Sequence, residues 1–151
     1  PRNPWDIMLK NGVALDNGVV LLTTGDPNGQ HRIVLGSNVY VNRYTMFDAS
    51  ASIIVGDATM IGPFCYITDH DHGTEEGLLV GEQPLVEAPV KIGRNVWIGA
   101  DVTILKGVTI GDNAVIGAGS VVTRSVAANE RVVGIPAKAV KSSALKRATS
   151  S

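Results

Sequence analysis

Large aliphatic residues recur every six positions through the second half of the chain: Ile92, Ile98, Ile104, Ile110, Ile116 and Val122. Glycine often follows, at Gly93, Gly99, Gly111 and Gly117, and four residues after each aliphatic stands a small or β-branched residue: Val96, Val102, Val108, Ala114, Ser120 and Val126. Positions six apart point in different directions on an α-helix, whereas in a strand, with its period of two, they share a face. Three short strands joined by tight bends therefore make one triangular coil of about eighteen residues, with the aliphatic side chains inside. Stacked coils bury a continuous core that no single repeat can bury. Because coils stack about 4.8 Å apart, the second inward residue has to be small. The bends fall at Asn95, Asp101, Gly107, Asn113 and Gly119, residue types that tolerate positive φ. A β-sandwich, with strands recurring at about 8–12 residues and irregular loops, does not produce this spacing.

The earlier chain repeats the pattern less cleanly. Leu35, Val41 and Phe47 are spaced by six, the register slips by two, and Val55, Ile61 and Ile67 resume it. One domain, 1–151, is predicted, in five parts. Residues 1–34 form an N-terminal cap outside the clear repeat, with Val19-Val20-Leu21-Leu22 as strand and Gly25-Asp26-Pro27-Asn28-Gly29 as turn. First coils occupy 35–72. Residues 73–89, broken by Gly73, Gly77, Gly81, Pro84 and Pro89, form an excursion loop, the kind of interruption that usually carries function. Regular coils occupy 90–133. A C-terminal tail, 134–151, begins at Gly134-Ile135-Pro136-Ala137-Lys138 and ends in a Ser-, Ala- and Lys-rich run read as short helix or irregular chain.

The bulk properties narrow the functional classes. Net charge is −1, so no basic field draws nucleic acid or an anionic membrane. No apolar run reaches the roughly eighteen residues of a membrane span. The single cysteine, Cys65, allows no internal disulfide. With no recognisable signal peptide, it points to the reducing cytoplasm. Cys65 also occupies the small inward position of the Ile61 repeat, which reads as core filler rather than nucleophile.

The chemistry is expected where the period breaks. His70 and His72 lie in Thr68-Asp69-His70-Asp71-His72-Gly73, immediately before the loop, and Asp69 and Asp71 stand where they can orient them. Histidine titrates near neutral pH and suits proton transfer, although two exposed polar residues in a turn would look the same in sequence.

The run Ile92-Gly93-Arg94-Asn95-Val96-Trp97-Ile98-Gly99, followed by Val108-Thr109-Ile110-Gly111-Asp112-Asn113, Gly117-Ala118-Gly119-Ser120-Val121-Val122-Thr123 and Gly134-Ile135-Pro136-Ala137-Lys138, resembles the hexapeptide-repeat acetyltransferases. The likeness is to the maltose, galactoside and polysaccharide O-acetyltransferases. It implies an all-β fold, a left-handed parallel β-helix with an excursion loop, and a homotrimer binding acetyl-CoA between subunits. It also implies acetyl transfer to a hydroxyl of a sugar or polysaccharide-type acceptor, with no metal. By the same likeness the general base is a histidine just before the loop, which selects His72 with His70 in reserve. Trp97, Gly99, Ala100, Ala118, Thr123, Arg124, Pro136 and Lys138 fall at the family's acetyl-CoA positions, with a subunit contact the alternative for Trp97 and plain surface charge for Arg124 and Lys138. Asn42 and Asp48 resemble the acceptor-binding Asn and Asp of the sugar enzymes, in a stretch one residue shorter than the maltose-enzyme pattern, with a structural role as bend residues the alternative. Two rivals use the same fold: a zinc enzyme like the β-helical carbonic anhydrases, for which only His31 remains as a third histidine, and a non-catalytic scaffold.

Overall fold

The computed structural model describes residues 3–141. Its short strands form three parallel faces, each strand hydrogen-bonded to the strands one coil above and below. Face one stacks Ile7–Leu9, Ile33–Leu35, Ile53–Val55, Val90–Ile92 and Thr109–Ile110. Face two stacks Ala14–Leu15, Tyr40–Val41, Met60–Ile61, Trp97–Ile98, Val115–Ile116 and Arg131–Gly134, and ends on the antiparallel strand Ala137–Ala139. Face three stacks Val20–Thr23, Met46–Ala49, Tyr66–Thr68, Thr103–Ile104 and Val121–Val122. The chain passes from face one to two to three and back to one, once per coil. The short helix or irregular run expected after residue 141 lies outside the described residues.

The period of six is the geometry of this prism. Every aliphatic from Ile92 to Val122 is buried, and so is every small partner from Val96 to Ser120. Val126 is buried too, but it pairs with Ile110 and takes the aliphatic place of the next face, two residues early. The five expected bend residues all have positive φ, from 52° at Asn95 to 75° at Gly107. Between faces one and two the bend asparagines also pair with one another: the Asn95 amide donates to Asn113 at 2.9 Å, and the Asn113 amide to Asn129 at 3.2 Å. Inward hydroxyls are satisfied as well, with Thr45 donating to the Gly62 carbonyl, Thr59 to Gly93 and Ser120 to Gly117. This bonding removes the cost of burying them.

The stretch predicted as a cap outside the repeat needs correction. Residues 7–23 run through all three faces as a complete first coil, and its strands end each sheet. Leu9, Leu15 and Leu21 keep the spacing of six. The turn-rich segment after Thr23 hides the coil by shifting its phase, so that Ile7 pairs with Ile33 rather than with a residue eighteen positions on.

All the departures from strict spacing fall at one corner, between faces three and one. Eight extra residues precede Ile33. Two extra residues precede Ile53, which pairs with Ile33. The excursion precedes Val90, which pairs with Ile53. That excursion is an ordered hairpin, with His70–His72 antiparallel to Leu85–Glu87. The Gln83 side chain pins it, accepting from the Glu75 amide at 2.8 Å and donating to the Leu78 carbonyl at 3.3 Å.

Candidate functional site

The corner between faces three and one collects the titratable groups. Ile67 points into the prism, and strand alternation turns Asp69 inward after it. The Asp69 carboxylate is fully buried. It accepts the backbone N–H groups of Ser50, Ala51 and Ser52 at 2.8, 2.8 and 2.6 Å. The same carboxylate lies 2.9 Å from His70 Nδ1. The His70 side chain is only 12% exposed, and its Nε2 faces Asp48 on the coil above at 4.0 Å. Asp48 in turn accepts the Tyr66 hydroxyl at 3.1 Å. Burial pushes the Tyr66 phenol up from its ordinary value, which keeps it a neutral donor.

His72 stands differently. It is exposed on the hairpin stem, opposite Leu85. Asp71 turns instead to Lys106 of the coil below, with which it forms an ion pair at 2.8 Å. Among the described residues, no group of three His, Cys, Asp or Glu side chains is placed to hold a metal ion.

The positions expected to hold acetyl-CoA fall into two clusters. Thr123, Arg124, Pro136 and Lys138 line one pocket, of about 320 Å³. It lies at the corner of His70, two coils further along, because Leu105 hydrogen-bonds to Val122 across that corner and Lys106 reaches back to Asp71. Two coil spacings are about 10 Å. Trp97, Gly99, Ala100 and Ala118 line a second cleft, together with Asn42, Gly62 and Pro63. This cleft lies at the other edge of face three, at the corner between faces two and three. Trp97 is 59% exposed there, on the outer surface of face two.

Close stacking accounts for the small residues of the second cleft. A Cβ on Gly62 would lie 2.7 Å from the Gly99 backbone, and one on Gly99 would lie 2.7 Å from the Ala118 nitrogen. The same corner carries Tyr44 and Phe64, both exposed, both at positive φ, with rings stacked at a centroid distance of 5.4 Å. Positive φ is uncommon for bulky residues.

The expected acceptor pair is not brought together in one chain. Asn42 lies in the Trp97 cleft, where its side chain accepts the Arg43 amide at 2.8 Å. Asp48 lies across face three with His70. Three participants are absent from the sequence reading: Tyr66, Lys106 and the amides of Ser50 to Ser52. The slip by two between Phe47 and Val55 was the available signal for the last of these. Cys65 is buried, with its thiol 3.2 Å from the Gly99 carbonyl, and burial pushes that thiol up, which fits core filler.

Residues 89–124 match the family described as "Bacterial transferase hexapeptide (six repeats)". The chain is 36% identical over 124 residues to a putative lipopolysaccharide biosynthesis O-acetyltransferase of Escherichia coli, covering 77% of this chain and 63% of that relative. It therefore spans less than two thirds of that curated relative's length. Among solved structures, a maltose O-acetyltransferase from Clostridium difficile superposes with a TM-score of 0.77 and 34% identity, covering 90% of this chain and 68% of the other. A galactoside acetyltransferase in complex with coenzyme A gives 0.78 and 29%, covering 90% and 64%. The stacked prism is the left-handed parallel β-helix of these enzymes, and the chain belongs to the hexapeptide-repeat acetyltransferase family.

Proposed function

We propose that the chain transfers the acetyl group of acetyl-CoA to a hydroxyl of a sugar or polysaccharide-type acceptor, with His70 rather than His72 as general base. The observation that carries this reading is the His70 ring. It is mostly buried, held at Nδ1 by Asp69, and turned with Nε2 toward Asp48. A general base has to be within hydrogen-bond reach of the proton it takes and fixed in direction. His72, exposed on the hairpin, is fixed by neither criterion.

Acetyl-CoA supplies an acetyl thioester. His70 Nε2 takes the hydroxyl proton as that oxygen attacks the acetyl carbon, and the imidazolium returns the proton to the departing thiolate sulfur. The products are the acetyl ester and coenzyme A. Asp48, held by the Tyr66 hydroxyl, offers an acceptor to a neighbouring hydroxyl of a sugar and also faces the imidazolium. Arg124 and Lys138 offer positive charge to phosphates about two coils from His70. The reading places the enzyme in the cytoplasm, which suits a free, buried Cys65.

The same reading makes the active unit a homotrimer. His70 with the Arg124 pocket lies on one edge of face three, and the Trp97 cleft with Asn42 lies on the other. A three-fold axis parallel to the stack sets one edge of each copy against the other edge of the next, closing a ring of identical heterologous contacts. Exposed apolar patches stand on both edges: Leu78, Leu79 and Val86 on the hairpin, and Tyr44 and Phe64 at the opposite corner. Large exposed apolar surface of this kind marks an interaction site.

Acetyl-CoA at a hundred times its Kd is expected to stabilise the protein by about 2.7 kcal/mol. That raises Tm by roughly 5–10 °C for a domain of this size. Arg124→Ala with Lys138→Ala should reduce the shift. Coenzyme A release should follow when sugar acceptors are added. A scaffold would show neither the shift nor the release, and that result would overturn the proposal. The composite site makes a separate prediction. His70→Ala and Trp97→Ala chains, each impaired alone, should regain about a quarter of wild-type sites when co-refolded in equal amounts, because each site draws one residue from each of two neighbours. No regain in mixed trimers would place both residues in one chain's site.

A further inference from the structure

The corner between faces three and one does not need extra residues to turn. One coil below His70, Ile104 and Ile110 are separated by the regular six residues, with Gly107 at φ 75° making the bend. Above it, Phe47 and Val55 are separated by eight. The two extra residues bring no additional apolar burial, since Ser50, Ala51 and Ser52 are all partly exposed. What they bring is three successive amides, all donating to the Asp69 carboxylate of the next coil. Successive backbone N–H groups of this kind form an anion-binding concavity.

The insertion also holds the hairpin. The Ser50 hydroxyl donates to Glu87 on the far hairpin strand. The Asp69 carbonyl accepts the Ala88 amide at 2.8 Å, where the chain re-enters the coil. Arg32, from the coil above, donates through Nε to the Ser50 carbonyl at 3.0 Å, and its guanidinium pairs with Asp6. The slip in period, the histidine turn and the excursion are therefore joined in one hydrogen-bonded unit.

We infer that the two-residue insertion within 50–52 is a positioning device. It holds Asp69 as a hydrogen-bond acceptor that fixes His70 as the Nδ1–H tautomer and leaves Nε2 bare for the acceptor's proton. The chemistry of the pair requires this order. An ionised carboxylate has only acceptors, so the hydrogen between Asp69 and His70 belongs to Nδ1. Three amides from a rigid corner keep the carboxylate from rotating, and the ring follows it. Asp69 is a positioning residue acting through His70, and the inference rests on the reading of His70 as base.

Two variants and two readouts test it. The variants are Asp69→Asn and deletion of Ser50 with Ala51, which restores the spacing of six. The readouts are the ¹⁵N shifts of the His70 ring nitrogens, assigned with His70→Ala, and steady-state kinetics with acetyl-CoA and a sugar acceptor. The wild-type ring should show a protonated Nδ1 and an unprotonated Nε2. Both variants should shift population to the other tautomer and lower kcat by at least about a hundredfold, because a base in the wrong tautomer cannot take the proton. KM for acetyl-CoA should stay within about threefold, since the groove is untouched. If the deletion variant does not fold, Asp69→Asn alone decides.

A wild-type ring protonated at Nε2 would overturn the inference. So would an Asp69→Asn protein that is less stable yet keeps the wild-type tautomer and kcat, because Asp69 would then be only structural. Failure of the base reading looks different: His70→Ala would retain transfer while the ring of the wild-type protein still showed protonated Nδ1.

Discussion

His70→Ala is expected to lower kcat by about 10²–10⁴-fold, the usual worth of a positioned general base, while His72→Ala stays within about threefold of wild type. The two histidines are two residues apart and chemically identical, so the contrast isolates position. His70 ends the coil. Its ring is packed against the stack, tied at Nδ1 to a buried carboxylate, and aimed at Asp48. His72 has left the coil with the hairpin and is exposed opposite Leu85. A fixed base loses little freedom when the acceptor binds, whereas an exposed side chain must be ordered first. Binding of acetyl-CoA should be little changed in His70→Ala, because the groups assigned to it are other side chains: Arg124 and Lys138, two coils away, and the Trp97 cleft of the neighbouring copy. Retained transfer in His70→Ala with loss in His72→Ala would reverse the assignment and move the reacting centre out onto the hairpin.

Most of the architecture was legible because one number governs it. A spacing of six fixes which side chains enter the prism, which residues bend, and how strands on successive coils pair. The first coil escaped for a single reason: the insertion after Thr23 shifts its phase, although Leu9, Leu15 and Leu21 keep the spacing. The site was legible to different depths. That the excursion begins at the histidines follows from the broken period. Which histidine remains in the coil does not, because alternation places His70 and His72 on the same side of an extended strand. The point where the strand leaves the stack is set by contacts with other coils. Asp69 could have decided it: two residues after inward Ile67, it also turns inward, and a buried carboxylate needs donors that only a neighbouring coil can provide.

The separation of Asn42 from Asp48 was also implicit in the period. Each follows an inward residue, Val41 and Phe47, and six residues is one face. The two positions are equivalent points on neighbouring faces, so they cannot meet within one chain. The likeness to sugar acetyltransferases joins them as an acceptor pair, and the period keeps them apart. A site shared between copies reconciles the two. The spacing of a single chain carries no information about which edge of the next copy it meets.

The regular part of the chain predicts the largest loss of stability. Ile104→Ala is expected to cost about 4 kcal/mol, toward the upper end of the range for such deletions, and to lower Tm by roughly 8–16 °C. Ile104 is fully buried on face three, stacked between Ile67 and Val122. The cost of a large-to-small change depends on how far the surroundings can collapse into the cavity. Here they cannot collapse far, because parallel hydrogen bonds above and below hold the coils at a fixed spacing and the strands of the three faces brace one another. Leu21→Ala provides the contrast. Leu21 lies in the terminal coil and is 8% exposed. It lines an open apolar pocket with Leu9, Leu15 and Val20. Its removal widens a space that solvent already reaches, so only the transfer term is lost, about 1–2 kcal/mol. Thermal melts of the two variants, at equal concentration and without acetyl-CoA, measure the difference. Equal losses would mean that the core yields as readily in the middle of the stack as at its end. The stacked coils would then not be the rigid frame that holds Asp69 and His70 in place.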